Sequence, residues 1–145
     1  MKFTETRCVI DADPKTIWSI LTDTNLLQSS NLGIQKLSGN IALGNKLKLW
    51  AEVSPERAFS LKVTEFTPNK SMTWQGGMPF GLFTGTRRFT LNETSRGTEF
   101  HMKETFTGAL SSMIWKSMPD LNPSFEQFGQ GLKALSEKKM QETNG

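Results

Sequence analysis

The chain has 145 residues, an ordinary length for one domain and enough to bury a sizeable core without disulfide or metal staples. Apolar residues make up 36% and charged ones 21%, which argues against disorder, and no apolar run approaches the roughly 18 residues a membrane-spanning helix needs. The net charge of +3 comes from 17 basic and 14 acidic residues that are dispersed, with Arg87-Arg88 and Lys138-Lys139 the clearest pairs, so the clustered stripe of a nucleic-acid binder is missing.

Residues 1–10 alternate and are β-prone, with Phe3, Glu5, Arg7 and Val9 on one face and Thr4, Thr6, Cys8 and Ile10 on the other. This start carries an acid and no apolar h-region, so it is a poor signal peptide and a cytoplasmic location is expected. Cys8 is the single cysteine; it excludes an internal disulfide and reads as a small hydrophobe in a strand. Asp13 followed by Pro14 predicts a helix start, and Ile17, Trp18 and Leu21 follow at helical spacing. A second short helix is expected from Thr24 to Gln28, ended by Ser29-Ser30-Asn31.

The middle of the chain reads as strands. Gly33 to Leu37 is a weak one. Asn45 to Val53 sets Leu47, Leu49, Ala51 and Val53 against Lys46, Lys48, Trp50 and Glu52. Arg57 to Phe66 sets Phe59, Leu61 and Val63 against Ser60, Lys62 and Thr64, and Pro68-Asn69 marks a turn. Ser71 to Gln75 carries Met72 and Trp74 on one face, and Gly76-Gly77 is expected to break it. Phe83 to Leu91 and Thr98 to Thr107 flank a turn at Ser95-Arg96-Gly97. Arg87, Phe89 and Leu91 share one face of the first; Phe100, Met102, Glu104 and Phe106 share one face of the second, opposite His101. Such alternation predicts an antiparallel meander with one covered face and one wet face.

Residues 109–118 are bulky for a connection, and Met113, Ile114 and Trp115 predict a short helix acting as a lid, or else a satellite cluster under the next helix. Leu121, Phe125, Phe128, Leu132 and Leu135 then form one stripe of a helix of about five turns, with Asn122 as its expected cap and Pro123 in its first position. Gly129 and Gly131 inside it each cost roughly 1 kcal/mol relative to Ala. They are explained either by close packing or by room left for a ligand.

In order, these segments resemble the START-like superfamily of polyketide cyclases and lipid-transport proteins. The resemblance is carried by Ile10-x-Ala12-x-Pro14-x-x-Ile17-Trp18-x-x-Leu21-x-Asp23, by Gly44-x-x-Leu47, by Met72-x-Trp74-x-Gly76, by Gly85-Thr86-Arg87-Arg88-Phe89-Thr90-Leu91, by Gly97-Thr98-Glu99-Phe100 with Glu104-Thr105-Phe106-Thr107-Gly108, and by Leu132-Lys133-x-x-x-Glu137. It spans nearly the whole chain and departs at Ser29-Ser30-Asn31, where the family has Trp-Asn-Pro. The resemblance implies an α+β helix-grip domain (START-like, Bet v 1-like) over residues 1–145, in the order β-α-α-β-β-β-β-β-β-α. It implies a pocket for a hydrophobic or amphipathic molecule between the curved sheet and the C-terminal helix. Some members cyclise or dehydrate polyketides, and some activate a chaperone ATPase.

The expected cavity set is Leu49, Phe59, Leu61, Met72, Trp74, Arg87, Phe89, Phe100, Met102, Glu104, Phe106, Phe125, Phe128 and Leu132. Alternation turns Arg87 and Glu104 inward on paired strands, and buried charge is costly unless paired, so an ion pair is expected. Its functional reading is a carboxylate-binding guanidinium with Glu104 as acid or base; its structural reading is a salt bridge. Metal sites are excluded by the lack of a His/Cys cluster, and a Ser-His-Asp triad by a lone His101 expected to face solvent. No cofactor motif is present. Binding or carriage of a small hydrophobic molecule ranks first, a cyclase/dehydratase second and a protein-interaction module third. A monomer or weak homodimer is expected, with exposed Trp50 as a possible dimer mark.

Overall fold

The alternating stretches become seven antiparallel strands of one sheet in the computed structural model, which describes residues 2–144. The elements are β1 (Lys2–Ile10), α1 (Pro14–Leu21), α2 (Thr24–Ser29), β2 (Ile34–Ser38), β3 (Lys46–Ala51), β4 (Ser54–Thr67), β5 (Ser71–Met78), β6 (Phe83–Thr94), β7 (Gly97–Thr107), α3 (Ser111–Ser117) and α4 (Asn122–Asn144). The spatial order is β1-β7-β6-β5-β4-β3-β2, a meander whose first strand closes on the last. Register shifts between Ile34 and Lys36, Leu49 and Ala51, and Val63 and Glu65 bend the strands at one side, as bulges do. The sheet curls around α4, giving the α+β helix-grip architecture.

The period of two places whole cross-strand rows on the inner face. One row runs Phe66–Met72–Phe89–Met102–Thr6; the next runs Val63–Trp74–Arg87–Glu104–Thr4. The first is apolar apart from its terminal threonine and lies under α4, where Phe128 meets Phe89 at 6.0 Å and Phe100 at 6.1 Å between ring centroids. Trp74 and Phe89 pack at 4.7 Å. Trp18 of α1 meets Phe66 edge-on at 5.2 Å. Ile10, Ile17, Leu21, Leu27, Leu47 and Val63 complete the buried core.

Helix starts follow local chemistry. Asp13 accepts a hydrogen bond from Thr16 N at 2.7 Å with Pro14 in the first turn, and Asp23 accepts from Leu26 N at 3.1 Å. α4 departs from the expected capping: Asn122 is its first residue rather than its cap and Pro123 its second, Asp120 Oδ1 accepts from the Asn122 amide at 3.0 Å, and Leu121 O accepts from Phe125 N. Asn122 Oδ1 is thereby free to accept from Thr4 Oγ1 at 2.6 Å, tying α4 to β1. Farther along, Lys133 Nζ donates to Val9 O at 2.8 Å and Glu137 accepts from Asp11 N at 2.9 Å.

Other expectations are corrected. Gly76 and Gly77 do not end β5, which runs to Met78; a Cβ at Gly76 would strike Ser60 O and Leu61, so glycine admits the neighbouring strand. β3 stops at Ala51 and β4 begins at Ser54, because Val53 sits in the hairpin between them. Trp50 is half-buried with the Lys36 ammonium 5.0 Å from its ring centre. His101 is on the outer face, but only 18% of its side chain is exposed, since Glu5 Oε1 lies 3.2 Å from Nε2.

Of the two helix glycines, Gly131 is explained by close packing and Gly129 is not. A Cβ at Gly129 would stand 3.4 Å from Thr6 Oγ1 and Cγ2, and one at Gly131 would run into Leu32, itself buried. Gly129→Ala therefore gains helix propensity within ordinary contact distance and is expected to stabilise by up to about 1 kcal/mol. Gly131→Ala overpacks Leu32 and is expected to destabilise by about 1–2 kcal/mol. Urea midpoints of the two variants check the opposite signs.

Three carboxylates are held below their ordinary range. Hydrogen bonds from Thr16 lower Asp13, and those from Lys133 and the Asp11 amide lower Glu137. Burial pushes Glu65 up, but hydroxyl hydrogen bonds from Thr67, Ser71 and Thr73 outweigh it and bring Glu65 down. A folded-state pKa below the unfolded one gives stability that is present above the unfolded value and lost as pH falls through the folded value. The melting temperature is thus expected to be flat near neutrality and to fall below about pH 5. Glu65→Gln should melt lower at pH 7 and lose less on acidification.

Candidate functional site

The inner row that carries charge is the place where the sheet's interior stops being apolar. Arg87 Nε and Nη2 donate to the same Glu104 oxygen, Oε1, at 2.9 and 2.8 Å. The side chains are 18% and 14% exposed, so the pair is substantially withdrawn from water without being sealed. The guanidinium carbon lies 4.9 Å from the centre of the Phe125 ring on α4, a cation–π contact on its face. Arg87 Nη1 and Glu104 Oε2 make no hydrogen bond to another described residue.

Gly85 explains the geometry. It precedes Arg87 by two on the same face and pairs with Phe106. A Cβ there would stand 2.7 Å from Glu104 Oε2 and 3.4 Å from the Phe106 ring. The carboxylate occupies the slot that the missing side chain leaves. Phe106 in turn stacks on Phe83 at 5.7 Å with 13° between the planes, and Trp115 of α3 packs on it at 5.5 Å.

Beside this group lies a pocket of about 250 Å³ lined by Thr4, Trp115, Met118, Pro119, Asp120, Leu121 and Asn122. Thr4 is the cross-strand partner of Glu104, and Trp115 covers Phe106. The pocket and the ion pair are therefore neighbours at the α3 end of the sheet. A second, wider groove of about 640 Å³ runs between α1–α2 and β2, lined by residues such as Ser19, Thr22, Asp23, Thr24 and Ser38. Its polar groups are mostly occupied: Ser19 donates to Thr16 O, Thr22 to Trp18 O, Thr24 to Gly39 O, and Asp23 caps α2.

The expected cavity residues fall into three groups. Met72, Trp74, Phe89, Phe100, Met102, Phe125, Phe128 and Leu132 are buried together between sheet and α4, with Leu61 partly buried against them, and Phe106 is buried outside that cluster against Phe83 and Trp115. Leu49 is buried at the β2–β3 side. Phe59 is 39% exposed, with the Arg57 guanidinium 5.7 Å from its ring centre, because β4 extends there beyond the cover of α4. The aromatic contacts of Phe128 fill the middle of the interface, and none of the expected cavity residues lines the 250 Å³ pocket or the 640 Å³ groove. Of the expected lid, Met113 is 62% exposed while Ile114 and Trp115 are half-buried; the α3 start is tied to the β5–β6 turn by Leu110 N donating to Leu82 O at 2.9 Å.

Gly85, Thr4, Phe83 and the 118–122 connection are outside the expected cavity and lid sets. Thr4 and Gly85 each share a face with residues that were, by the same alternation. Trp74 Nε1 is buried without a partner in the same row as Arg87. Burial raises the Cys8 thiol pKa, which argues against a nucleophile there. No group of three metal-ligating side chains occurs among the described residues, and no helix among them is long and apolar enough to cross a membrane.

The curled sheet gripping a C-terminal helix defines a helix-grip protein, and comparison with solved structures supports that class. Protein MLL2253 of Mesorhizobium loti superposes with a TM-score of 0.73 at 19% identity, covering 94% of this chain and 98% of that one. Protein CV1439 of Chromobacterium violaceum gives 0.69 at 18%, covering 93% and 96%. The solution structure of an Aha1 dimer from Colwellia psychrerythraea gives 0.71 at 22%, covering 94% and 97%. No protein-family model matches the chain, and no curated protein matches it.

Because Arg87 and Glu104 are each other's main partners, Arg87→Met strands a carboxylate and is expected to cost about 2–3 kcal/mol, more than Glu104→Gln, which keeps an acceptor. The Arg87→Met/Glu104→Gln double variant should be more stable than the sum of single losses predicts, as read from urea denaturation.

Proposed function

We propose that this chain is a START-like binding protein that holds a small amphipathic molecule at the α3 end of the grip, and that it binds rather than transforms its ligand. The observation that carries the reading is the Arg87–Glu104 pair, two charges placed among aromatic rings and next to a 250 Å³ pocket. Ligand sites combine an apolar lining with a few fixed polar groups. The volume lies just below the roughly 300–1,000 Å³ of drug-sized sites, so the favoured ligand is small, and a sterol or two-chain lipid would need α3 to move. Trp115, seated on Phe106, and Met118 at the helix end form the part of the lid that such motion would displace.

A cyclase/dehydratase reading finds less support. The acid–base candidates reduce to Glu104, whose carboxylate is already engaged by Arg87, and the sequence contains no Tyr and a single His on the outer face. A protein-interaction reading has its own observation. Phe80 is 98% exposed at φ 60°, beside exposed Met78 and Leu82 in the same turn, and the Colwellia neighbour is an Aha1 dimer. Under that reading wild-type protein self-associates in sedimentation velocity and Phe80→Ser does not.

Small aromatic amphiphiles are expected to raise the melting temperature; at a hundred times Kd the stabilisation is about 2.7 kcal/mol. Met118→Trp, which fills the pocket from its rim, should fold normally and lose the shift. Absence of any shift across aromatic and single-chain amphiphiles in the wild-type protein removes the small-molecule reading.

A further inference from the structure

We infer that the outer face of the sheet at β2–β4 is a docking surface for an extended, acidic polypeptide segment. The inference is independent of the α3-end pocket. Its basis is a group of lysines that strand pairing gathers from separate parts of the chain. Lys46 and Lys48 alternate with buried Leu47 and Leu49, so both face outward. Lys62 lies opposite Lys46 across the β3–β4 pair, and Lys48 lies between Ser38 and Ser60. Lys36 lies opposite Trp50, with its ammonium 5.0 Å from the ring centre. Lys36, Lys46, Lys48 and Lys62 are all exposed, and none makes an ion pair with a described residue.

Like charges placed directly opposite destabilise a sheet. Here no acid offsets them. The rows Ser38–Lys48–Ser60 and Lys46–Lys62–Gln75–Thr86 contain neither Asp nor Glu. Glu65, farther along β4, accepts from the hydroxyls of Thr67, Ser71 and Thr73, and Glu52 accepts from Gln127. Glu56, in the irregular stretch of β4 between Ser54 and Phe59, pairs with none of the lysines. Strands stand about 4.8 Å apart and alternate residues about 7 Å apart, so neighbouring lysines fall within about one Debye length and their potentials add.

The surroundings select among anions. Phosphate recognition favours the bidentate fork of arginine, and this group holds only lysine. Single-stranded bases stack on open aromatic faces, whereas the Trp50 ring is half-buried with Lys36 over it. A lipid surface takes up apolar side chains along with charge, and the residues interleaved with the lysines are Ser38, Ser60 and Gln75. Their hydroxyl and amide donors suit carboxylates. An extended acidic chain turns alternate carboxylates to one side about 7 Å apart, the backbone spacing of Lys46 and Lys48.

The test follows the fluorescence anisotropy of a labelled peptide of alternating Glu and Ser against the full chain at low salt. Wild-type protein is expected to bind it, with affinity falling as salt rises. Lys46→Gln/Lys62→Gln should weaken binding by about tenfold, whereas Lys70→Gln/Lys138→Gln, which lowers the net charge equally, should change it by less than about twofold. Relief of the Lys46–Lys62 repulsion should raise the urea midpoint of the first variant, which shows that it is folded. Equal losses in the two variants mean attraction to net charge alone and overturn the inference. A higher wild-type affinity for an oligothymidylate of the same charge, or for phosphatidylserine vesicles, also overturns it. So does a wild-type dimer that the first variant breaks in sedimentation velocity, since a second copy then occupies the face. Failure of the wild-type protein to bind the peptide overturns it as well and leaves the pocket reading untouched.

Discussion

The constraint on which this structure depends is how closely α4 packs on the elements beneath it. The helix has side-chain-free positions at Gly129 and Gly131, one against Thr6 of β1 and the other against Leu32. Each glycine weakens the helix by itself, and at Gly131 the close contact with Leu32 is what requires it. With α4 drawn in at Gly131 against Leu32, Phe128 reaches Phe89 and Phe100 and fills the middle of the interface. The helix start is held by Asn122 to Thr4 and its later turns by Lys133 and Glu137 to the β1–α1 corner. A small pocket opens where the chain climbs from α3 into α4, near the ion pair.

The polar chemistry of the site follows from the same economy of volume. Gly85 gives up its side chain, Glu104 Oε2 takes the room, and Arg87 is oriented between Glu104 and the Phe125 ring. An exposed pair of this kind would contribute little. Withdrawn among rings, it sets two paired charges at an end of the fold where Thr4, Asp120 and Asn122 also bring polar groups. A partner of α4, Phe125, thus shapes the electrostatics of two strands.

Much of this was legible in the chain because strand alternation is a local signal. Arg87 and Glu104 read as facing inward since each shares parity with Phe89 and Phe106, and the short turn at Ser95–Gly97 put their strands side by side. Asp13-Pro14 identified α1 through its cap. The misreadings came from contacts distant in sequence. Gly76-Gly77 looks like a breaker locally, yet the approach of Ser60 and Leu61 makes glycine the residue that fits inside β5. Gly131 is explained only by Leu32, and Phe59 keeps the inward parity of its strand where no helix covers it. Asn122 resembles a cap in isolation; it is the first helical residue, Asp120 accepts from its amide, and its side chain accepts from Thr4.

The position of β1 has a consequence for how the protein comes to be made. Its nine residues pair solely with β7, and Thr4 bonds to a side chain 118 positions later. During synthesis the first strand emerges long before β7 and α4 exist, so its hydrogen-bonding edge must wait unprotected. Closure of that sheet edge is a late, long-range event, the kind that slows folding and exposes nascent chains to aggregation. The leading strand carries Lys2, Glu5 and Arg7 on and around it, charges of the type that keep a waiting edge from pairing with the wrong neighbour.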